Sequence, residues 1–402
     1  MKEVLFLAHR IPHPPDRGDR MRSWHLLRHL GRHAKVHLAA FTELDSDHEQ
    51  VPPMRAAMRE ALGEVHLERR IQEPGKWIMS ALLRQESLVN AAYRSAAMQA
   101  FVDRILAERP IETIVAFSFQ MAQYVRAGPR FVMDFCDVDS AKFASYAKTD
   151  RGKHWLVNLH EAIRVRSLEK RIARRADLSL FITEAETALF RARAGRIDAD
   201  IRALPNGIDL DFYDPAAPIP PLDRALPGPL LVFTGQMSYR PNIEAVAAFA
   251  AQVLPLVRRS CPQVQFAIVG RDPAADVKAL GELPGVIVTG EVPDVRPWLT
   301  AASVVVAPLA IARGVQNKVL EAMAMGRPVV ATPAAFSGIE AEPGRDLLVA
   351  EEPDEQAEAI LALLGDPARA AALGEAARRR MIEGYSWDAQ LAPLAEMAGL
   401  AA

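Results

Sequence analysis

The chain has 402 residues, of which 50% are hydrophobic and 24% charged, and its formal net charge is −2. This length favours two domains over one, and the near-neutral charge argues against nucleic acid as a partner. Because there are two cysteines, Cys136 and Cys261, we expect no disulfide framework, no metal site and a reducing, cytoplasmic location. The apolar start is short, and no apolar run reaches roughly 18 residues, so neither a signal peptide nor a transmembrane helix is predicted.

The first half of the chain alternates short apolar runs with amphipathic segments. Met21–Leu30 carries apolar residues at helical spacing and predicts a helix. Continuous apolar runs indicate parallel strands covered on both faces, and their alternation with helices is typical of a doubly wound sheet. The strands predicted here are Val4–Ala8, Val36–Phe41, Ile114–Phe117, Phe131–Phe135 and Leu178–Ile182.

A proline-rich segment then separates the two halves. Asp214–Pro229 contains six prolines and few large apolar residues, which predicts a linker. Beyond it the alternation restarts. The predicted helices are Ile243–Arg258, Val295–Ala301 and Asn317–Met325. The predicted strands are Leu230–Thr234, Val264–Val269, Val286–Thr289, Val304–Ala307 and Val329–Ala331.

The sequence therefore predicts an α/β protein with two Rossmann-like, doubly wound parallel-sheet domains facing a cleft. The predicted domains are residues 1–213 and 230–385, joined by the linker 214–229. A C-terminal helix at residues 386–402 is expected to pack back onto the first domain. Ligands of open α/β sheets bind beyond the carboxyl ends of the strands, so site residues are expected in the turns that follow strands.

The turn richest in such residues leads from the strand Val304–Ala307 into the next predicted helix. Arg313 and Gly314 stand just before that helix, whose N-terminus offers N–H groups and partial positive charge suited to a pyrophosphate. Lys318 adds a further positive charge. Glu321 follows one helical turn later, and its carboxylate can accept hydrogen bonds from two vicinal hydroxyls of a ribose. The alternative is that Glu321 is simply a solvated helix residue.

The run Lys318–Val330 resembles the donor-binding helix of family 4 glycosyltransferases, and the similarity extends along essentially the whole chain. The resemblance implies the glycosyltransferase B fold, a nucleotide-diphosphate sugar as donor, retention of anomeric configuration, and no cofactor or metal. It also implies that Glu321 binds the ribose, with Asn317 and Val319 among the donor-binding residues. The family's usual first glutamate is replaced here by Arg313.

Three other turns of the second half also resemble donor-binding elements of this family. Gly235 and Arg240 follow the first strand, and Arg240 is the candidate for contacting the donor phosphates. Gly270 closes the next strand, and Val292 lies in a loop expected to border the base. The predicted catalytic residues are Arg240, Lys318 and Asp137.

In the first half, the first strand runs into a basic loop that reaches the cleft in family members. Gly18 lets a ligand approach the backbone closely and is predicted to contact the donor. Asp137 and Asp139 follow the strand Phe131–Phe135, where they either contact sugar hydroxyls or cap the next helix. Alternatively, the basic loop is a solvated surface and its histidines are structural. The residues predicted on the acceptor side are His9, Arg17, Asp19, Arg20 and Asp139.

A basic amphipathic segment lies further along the first half. Residues 151–175 hold eight Lys or Arg against two acids, Glu161 and Glu169, and the same predicted helix carries Trp155 and Ile163. Such a helix can lie on an anionic membrane surface, although a run of charges is more often a solvated face.

Together these features look most like the sugar transferases of exopolysaccharide and exosortase (PEP-CTERM) gene clusters. That resemblance implies a hexose transferred to a glycan or lipid-linked acceptor, in the cytoplasm and at the inner face of the membrane. Two alternatives stay open: a nucleotide-sugar 2-epimerase on the same fold, and a non-catalytic nucleotide-sugar-binding scaffold, which the replaced glutamate favours. A dehydrogenase is disfavoured because no Gly-x-Gly-x-x-Gly follows the first strand of either half.

Overall fold

The computed structural model describes residues 2–15, 18–43, 45–70, 81, 84–149, 153–224, 226–312 and 315–400. Three predicted site residues, Arg17, Arg313 and Gly314, lie outside these ranges. The chain forms two compact units. The first comprises Met1–Asn206 with Gln390–Ala402, and the second comprises Gly207–Ala389.

The first unit is built on a seven-stranded sheet whose neighbouring strands are all parallel. Its strands are β1 (Glu3–Ala8), β2 (Lys35–Thr42), β3 (Leu62–Arg69), β4 (Ile111–Phe117), β5 (Arg130–Cys136), β6 (Leu178–Phe181) and β7 (Ile201–Ala203). Their order is β3-β2-β1-β4-β5-β6-β7. Its helices are α1 (Gly18–Gly31), α2 (Val51–Met58), α3 (Leu88–Ala92), α4 (Ala96–Glu108), α5 (Asp139–Thr149), α6 (Lys153–Arg175) and α7 (Glu184–Ala194).

The second unit contains a six-stranded parallel sheet. Its strands are β8 (Leu230–Thr234), β9 (Gln265–Val269), β10 (Val286–Gly290), β11 (Val304–Ala307), β12 (Val329–Ala331) and β13 (Leu348–Val349), in the order β10-β9-β8-β11-β12-β13. Its helices are α8 (Arg240–Ala248), α9 (Leu254–Ser260), α10 (Ala275–Leu280), α11 (Arg296–Ala301), α12 (Asn317–Ala324), α13 (Pro333–Phe336), α14 (Pro353–Gly365) and α15 (Pro367–Arg380). The chain ends with α16 (Trp387–Leu391) and α17 (Leu394–Met397).

The predicted fold class, two doubly wound parallel-sheet α/β units, is confirmed, and so are all ten predicted strands. Three further strands, β3, β7 and β13, escaped prediction, and each lies at an edge of its sheet. An edge strand is covered less completely than an interior one, so its sequence does not need the continuous apolar run that marks an interior parallel strand.

The division between the units falls after Asn206, earlier than the predicted linker. The proline-rich segment is counted with the second unit because its apolar residues pack on that unit's core, among them Ile219, Leu222 and Leu226. The last residues group with the first unit, where the Thr113 hydroxyl donates to the carbonyl of Ala398 at 2.9 Å.

An ion pair lies in the interior of the first unit. The side chains of Arg22, on α1, and Asp134, on β5, are both 0% exposed, and their closest nitrogen and oxygen are 2.8 Å apart. Arg22 also donates to the side-chain oxygen of Asn206 at 2.7 Å, and Asp134 accepts the backbone N–H of Cys136. These partners replace the water that both charges lose on folding.

Within the described residues, no helix is both long and apolar enough to span a bilayer.

We predict that Arg22→Met lowers the free energy of unfolding by about 3–5 kcal/mol, because it leaves Asp134 buried without its counter-charge. Urea denaturation followed by circular dichroism measures this difference. The matched control is Arg126→Met, which removes an exposed pair with Asp103 and should cost about 1 kcal/mol or less. Equal losses in the two variants would contradict the structural role given to Arg22.

Candidate functional site

The second unit holds a pocket of about 470 Å³ at the carboxyl ends of β8, β9 and β10, next to the start of α12. These three strands are neighbours in the sheet, so the turns that follow them meet at one edge. The lining residues are Thr234, Gly235, Gln236, Tyr239, Asn242, Val269, Gly270, Arg271, Glu291, Val292, Val295, Val315, Gln316, Asn317, Lys318 and Glu321.

Two glycines let the backbone turns close over each other at this edge. Gly270 has a φ of +153°, and a Cβ there would lie 1.6 Å from the carbonyl oxygen of Gly235. A Cβ at Gly235, whose φ is +157°, would lie 2.8 Å from the side-chain nitrogen of Asn242. Because neither residue carries a side chain, backbone and polar groups can approach each other closely at the pocket.

Lys318 is held in place from two sides. Its ammonium donates to the side-chain oxygen of Asn242 at 2.6 Å and lies 4.3 Å from the ring centroid of Phe233. Burial lowers the pKa of Lys318 to about 8, against the effect of the nearby Glu321 carboxylate. The ammonium group is thus fixed in position at the pocket, and its charged form is less favoured than that of an exposed lysine.

Glu321 lies one turn further along α12, on the same face of the helix as Lys318. Its carboxylate accepts a hydrogen bond from the hydroxyl of Tyr213. Burial raises the pKa of the Glu321 carboxyl, while the Tyr213 hydrogen bond and the charge of Lys318 act in the opposite direction. The arrangement orients a carboxylate with oxygen lone pairs left over for ligand hydroxyls.

The start of α12 adds an anion-attracting element. Gln316 occupies the N-cap position, yet its side chain makes no capping hydrogen bond to the helix. The first N–H groups of the helix are therefore not capped by a side chain at the pocket wall, and a helix N-terminus also carries partial positive charge. Together with Lys318, this end of the helix is suited to phosphate oxygens.

The structure brings six of the predicted donor-binding residues to this pocket: Gly235, Gly270, Val292, Asn317, Lys318 and Glu321. Val319 is fully buried in the core behind them. Arg240 is not brought there: its side chain is 88% exposed and pairs with Glu244. The guanidinium among the described lining residues belongs to Arg271 instead.

Two residues of the site were not predicted from the sequence. Asn242 positions Lys318, and Tyr213 positions Glu321, but neither side chain is charged. The sequence could have indicated Asn242, because it lies in the first turn of α8, a few residues after Gly235 and the end of β8. Tyr213 stands far from α12 in sequence, and nothing in the local pattern links the two.

The first unit has a pocket of about 410 Å³ where β1, β4 and β5 end. From β1 the chain adds β2 and β3 on one side and then β4 to β7 on the other, so the strand order reverses between β1 and β4, which is where open α/β sheets form ligand crevices. Four predicted residues line this pocket: His9, Asp19, Asp137 and Asp139.

Asp19 organises one side of the first-unit pocket. It pairs with Arg10 at 2.6 Å and with the His9 ring at 3.2 Å, and that ring stacks on Phe117. Although burial opposes ionisation, the hydrogen bonds and charges of His9 and Arg10 hold the pKa of Asp19 well below its usual range. Asp19 is therefore a fixed anion that orients its two neighbours.

Asp139 is the first residue of α5 and faces different surroundings. Burial raises the pKa of Asp139 to about 6; Lys142 opposes this rise, whereas Asp137 and Glu186 add to it. A carboxyl group with that pKa can either donate or accept a proton near neutral pH.

The other predicted first-unit residues lie elsewhere. Arg20 is buried and pairs with Asp47 at 3.3 Å, so it is not among the pocket's lining residues. Gly18 begins α1, and a Cβ there would meet nothing within 4 Å. In the part of the chain that the structure describes, no cluster of three or more His, Cys, Asp or Glu could hold a metal ion.

Two α/β units, each built on a parallel sheet, match solved structures of the glycosyltransferase B fold. Residues 228–366 match the model of the family described as "Glycosyl transferases group 1", so this part of the chain is a glycosyltransferase domain. The resemblance to glycosyltransferases inferred from the sequence is thereby confirmed.

A curated relative is the GDP-mannose-dependent alpha-(1-6)-phosphatidylinositol monomannoside mannosyltransferase of Mycolicibacterium smegmatis. It is 30% identical over 251 residues, which are 58% of this chain and 64% of that protein. The match thus spans less than two thirds of the relative's length.

Solved structures show the same fold over nearly the whole chain. Sucrose-phosphate synthase from Thermosynechococcus elongatus has a TM-score of 0.62 and 18% identity, covering 99% of this chain and 98% of its own. HepE from Anabaena, solved in complex with UDP, has a TM-score of 0.62 and 16% identity, covering 99% of this chain and 100% of its own.

Because Lys318 loses its charge above about pH 8, we predict that UDP-glucose or GDP-mannose binds this pocket more weakly as the pH rises from about 7 to about 9. The diphosphate of a nucleotide sugar stays ionised throughout, but its base begins to lose a proton at the top of this range, so the comparison with Lys318→Arg isolates the contribution of Lys318. Calorimetric titration at several pH values measures it. Lys318→Arg keeps its charge and should flatten the profile; an unchanged slope in that variant would rule out Lys318 as the titrating group.

Proposed function

We propose that the chain is a retaining glycosyltransferase that moves a hexose from a nucleotide-diphosphate sugar to a glycan or lipid-linked acceptor. The observation that carries this proposal is the second-unit pocket, where Lys318 and Glu321 stand one helical turn apart beside an uncapped helix start. The ammonium group of Lys318 suits the diphosphate, and the carboxylate of Glu321 suits the ribose.

In this proposal, Lys318 and the N–H groups at the start of α12 stabilise negative charge that develops on the leaving diphosphate. Arg271 is placed to assist, because it lines the same pocket. Asn242 and Tyr213 are positioning residues, since they hold Lys318 and Glu321. The family resemblance implies that this step proceeds without a cofactor or metal.

Two donor nucleotides are compatible with the roles proposed for Lys318 and Glu321. The name of the mycobacterial relative specifies GDP-mannose, and the HepE structure contains UDP. Both nucleotides present the same diphosphate and ribose, which are the parts that Lys318 and Glu321 address. Selection between them falls to the pocket wall near Val292.

We assign the acceptor to the first-unit pocket. Its carboxylates, Asp19, Asp137 and Asp139, suit the hydroxyls of a sugar, and the partly buried ring of Phe143 in its lining suits the apolar face of a sugar ring. Asp139 is the candidate to take up the proton of the acceptor hydroxyl. Such an acceptor fits a role in exopolysaccharide or other surface-polysaccharide synthesis.

The helix α6 supports contact with an anionic membrane, where lipid-linked acceptors reside. Trp155, Leu156 and Ile163 are 43%, 58% and 60% exposed. The two acids of the helix, Glu161 and Glu169, are both buried on its other side. The exposed face therefore combines apolar and basic side chains without a carboxylate, which is the pattern of an interfacial helix.

We predict that Glu321→Ala weakens binding of the preferred nucleotide sugar about 10- to 100-fold, because two hydrogen bonds to a charged group are lost. A thermal-shift screen of UDP-glucose, GDP-mannose and the free diphosphates identifies the nucleotide, and calorimetry measures the loss. Glu244→Gln, on the exposed part of the same unit, should bind like the wild type. Wild-type affinity in Glu321→Ala would refute the ribose assignment.

Assays of the purified wild-type protein distinguish a transferase from the two alternatives, an epimerase and a non-catalytic scaffold. A transferase releases nucleoside diphosphate only when a suitable acceptor is added. Isomerisation of the nucleotide sugar without any acceptor would indicate an epimerase, and binding with neither reaction, across acceptors, would indicate a scaffold.

For the membrane contact, we predict that Leu156→Ser with Ile163→Ser lowers binding to phosphatidylglycerol-containing vesicles at least about tenfold in co-sedimentation. Added salt should weaken wild-type binding, because the basic side chains are exposed. Ile382→Ser, which changes an exposed isoleucine in the other unit, is the matched control. Equal binding by wild type and double variant would exclude α6 as the contact surface.

A further inference from the structure

A second, larger cavity lies in the second unit, at the opposite end of its strands from the nucleotide pocket. It measures about 640 Å³ and opens at the amino ends of β8, β11 and β12, whereas the nucleotide pocket lies beyond carboxyl ends. Ligand pockets commonly have volumes of this order. Nothing in the proposed transfer reaction uses this cavity.

One wall of this cavity carries a partly buried charge with no partner. The Nε atom of Arg327 is enclosed and donates to no acceptor, and the guanidinium forms no ion pair with any residue that the structure describes. Burial lowers the pKa of Arg327, and no neighbouring carboxylate offsets that effect. A buried cation without a counter-charge is costly unless something else completes it.

Two other enclosed arginines of the chain differ from Arg327 because they have a carboxylate partner. Arg22 is paired with Asp134. Arg378, which lines the same cavity as Arg327, donates to the carbonyl of Tyr213 at 2.8 Å and pairs with Asp214 at 3.1 Å. The fold therefore supplies partners for those cations and leaves Arg327 without one.

The remaining lining residues limit what could complete the site. Thr300 also lines the cavity, and its buried hydroxyl has no hydrogen-bond partner. The wall formed by α14 and α15 is apolar at Leu363, Leu364 and Ala370, and α15 also brings the exposed carboxylate of Glu375 to the lining of the cavity. A ligand that satisfies both sides has one anionic head for the guanidinium and hydroxyl, and a short apolar body for the wall.

We propose that this cavity binds a small organic anion, with a carboxylate or phosphate head held by Arg327 and Thr300 and an apolar body against Leu363 and Ala370. A guanidinium matches both kinds of head because its parallel N–H groups reach two oxygens at once. The proposal does not depend on the donor assignment, because no residue of the nucleotide pocket takes part.

Calorimetric titration with hexanoate, phenyl phosphate and inorganic phosphate tests the site in the full chain without nucleotide. We expect hexanoate or phenyl phosphate to bind more tightly than inorganic phosphate, and the better of the two identifies the head group. Arg327→Met should weaken that binding at least about tenfold, through loss of a charge-assisted hydrogen bond. Ala370→Phe, which fills the cavity but keeps the charge, should weaken it to a similar degree.

Arg379→Met is the matched control, since it removes an exposed arginine of α15 that does not line the cavity. Nucleotide-sugar affinity, measured in each variant, shows whether the rest of the unit is intact and should stay at the wild-type value. No binding by hexanoate or phenyl phosphate would overturn the proposal. Binding that survives both Arg327→Met and Ala370→Phe would overturn it as well, because the anion would then sit elsewhere, for instance in the nucleotide pocket.

Discussion

Parallel pairing of every strand is the constraint on which both pockets depend. In a parallel sheet each strand must be followed by a return crossover, so all carboxyl ends meet at one edge and helices begin beside them. The edge then collects backbone N–H groups that no strand partner satisfies. In the second unit, the turns at Gly235 and Gly270 and the start of α12 meet in this way. The sheet therefore supplies an anion-binding edge before any side chain contributes.

The interior of each sheet could be predicted from the sequence because interior strands are apolar on both faces. Three of the four edge strands could not, since β3 mixes charged with apolar residues and β7 and β13 are only three and two residues long, whereas the edge strand β10 has an apolar run and was predicted. The same logic applies to the site. Lys318 and Glu321 were found because helical spacing fixes which side chains share a face. Arg240 was placed by its position in a turn, yet the direction of a long side chain is decided by neighbours such as Glu244.

Buried charged side chains in this protein fall into two kinds: those paired within the core, which stabilise the fold, and those left partly unpaired at a pocket, which can bind a ligand. Arg22 and Asp134 form an ion pair with both side chains fully buried in the core, which stabilises the fold and leaves no access for a ligand. Glu321 is different, because a single hydroxyl, that of Tyr213, occupies only part of its hydrogen-bonding capacity. A buried group that the protein satisfies incompletely is a group that a ligand can complete.

Lys318 and Glu321 are best understood as one electrostatic unit. Burial disfavours the charge on each, while each stabilises the charge of the other. In the proposed donor complex, the diphosphate would stabilise the ammonium form of Lys318, and that charge would in turn keep Glu321 ionised and able to accept from two ribose hydroxyls. The two halves of a nucleotide therefore reinforce each other's binding, even though they contact different residues. A free phosphate or a free ribose, which engages one half, lacks this reinforcement.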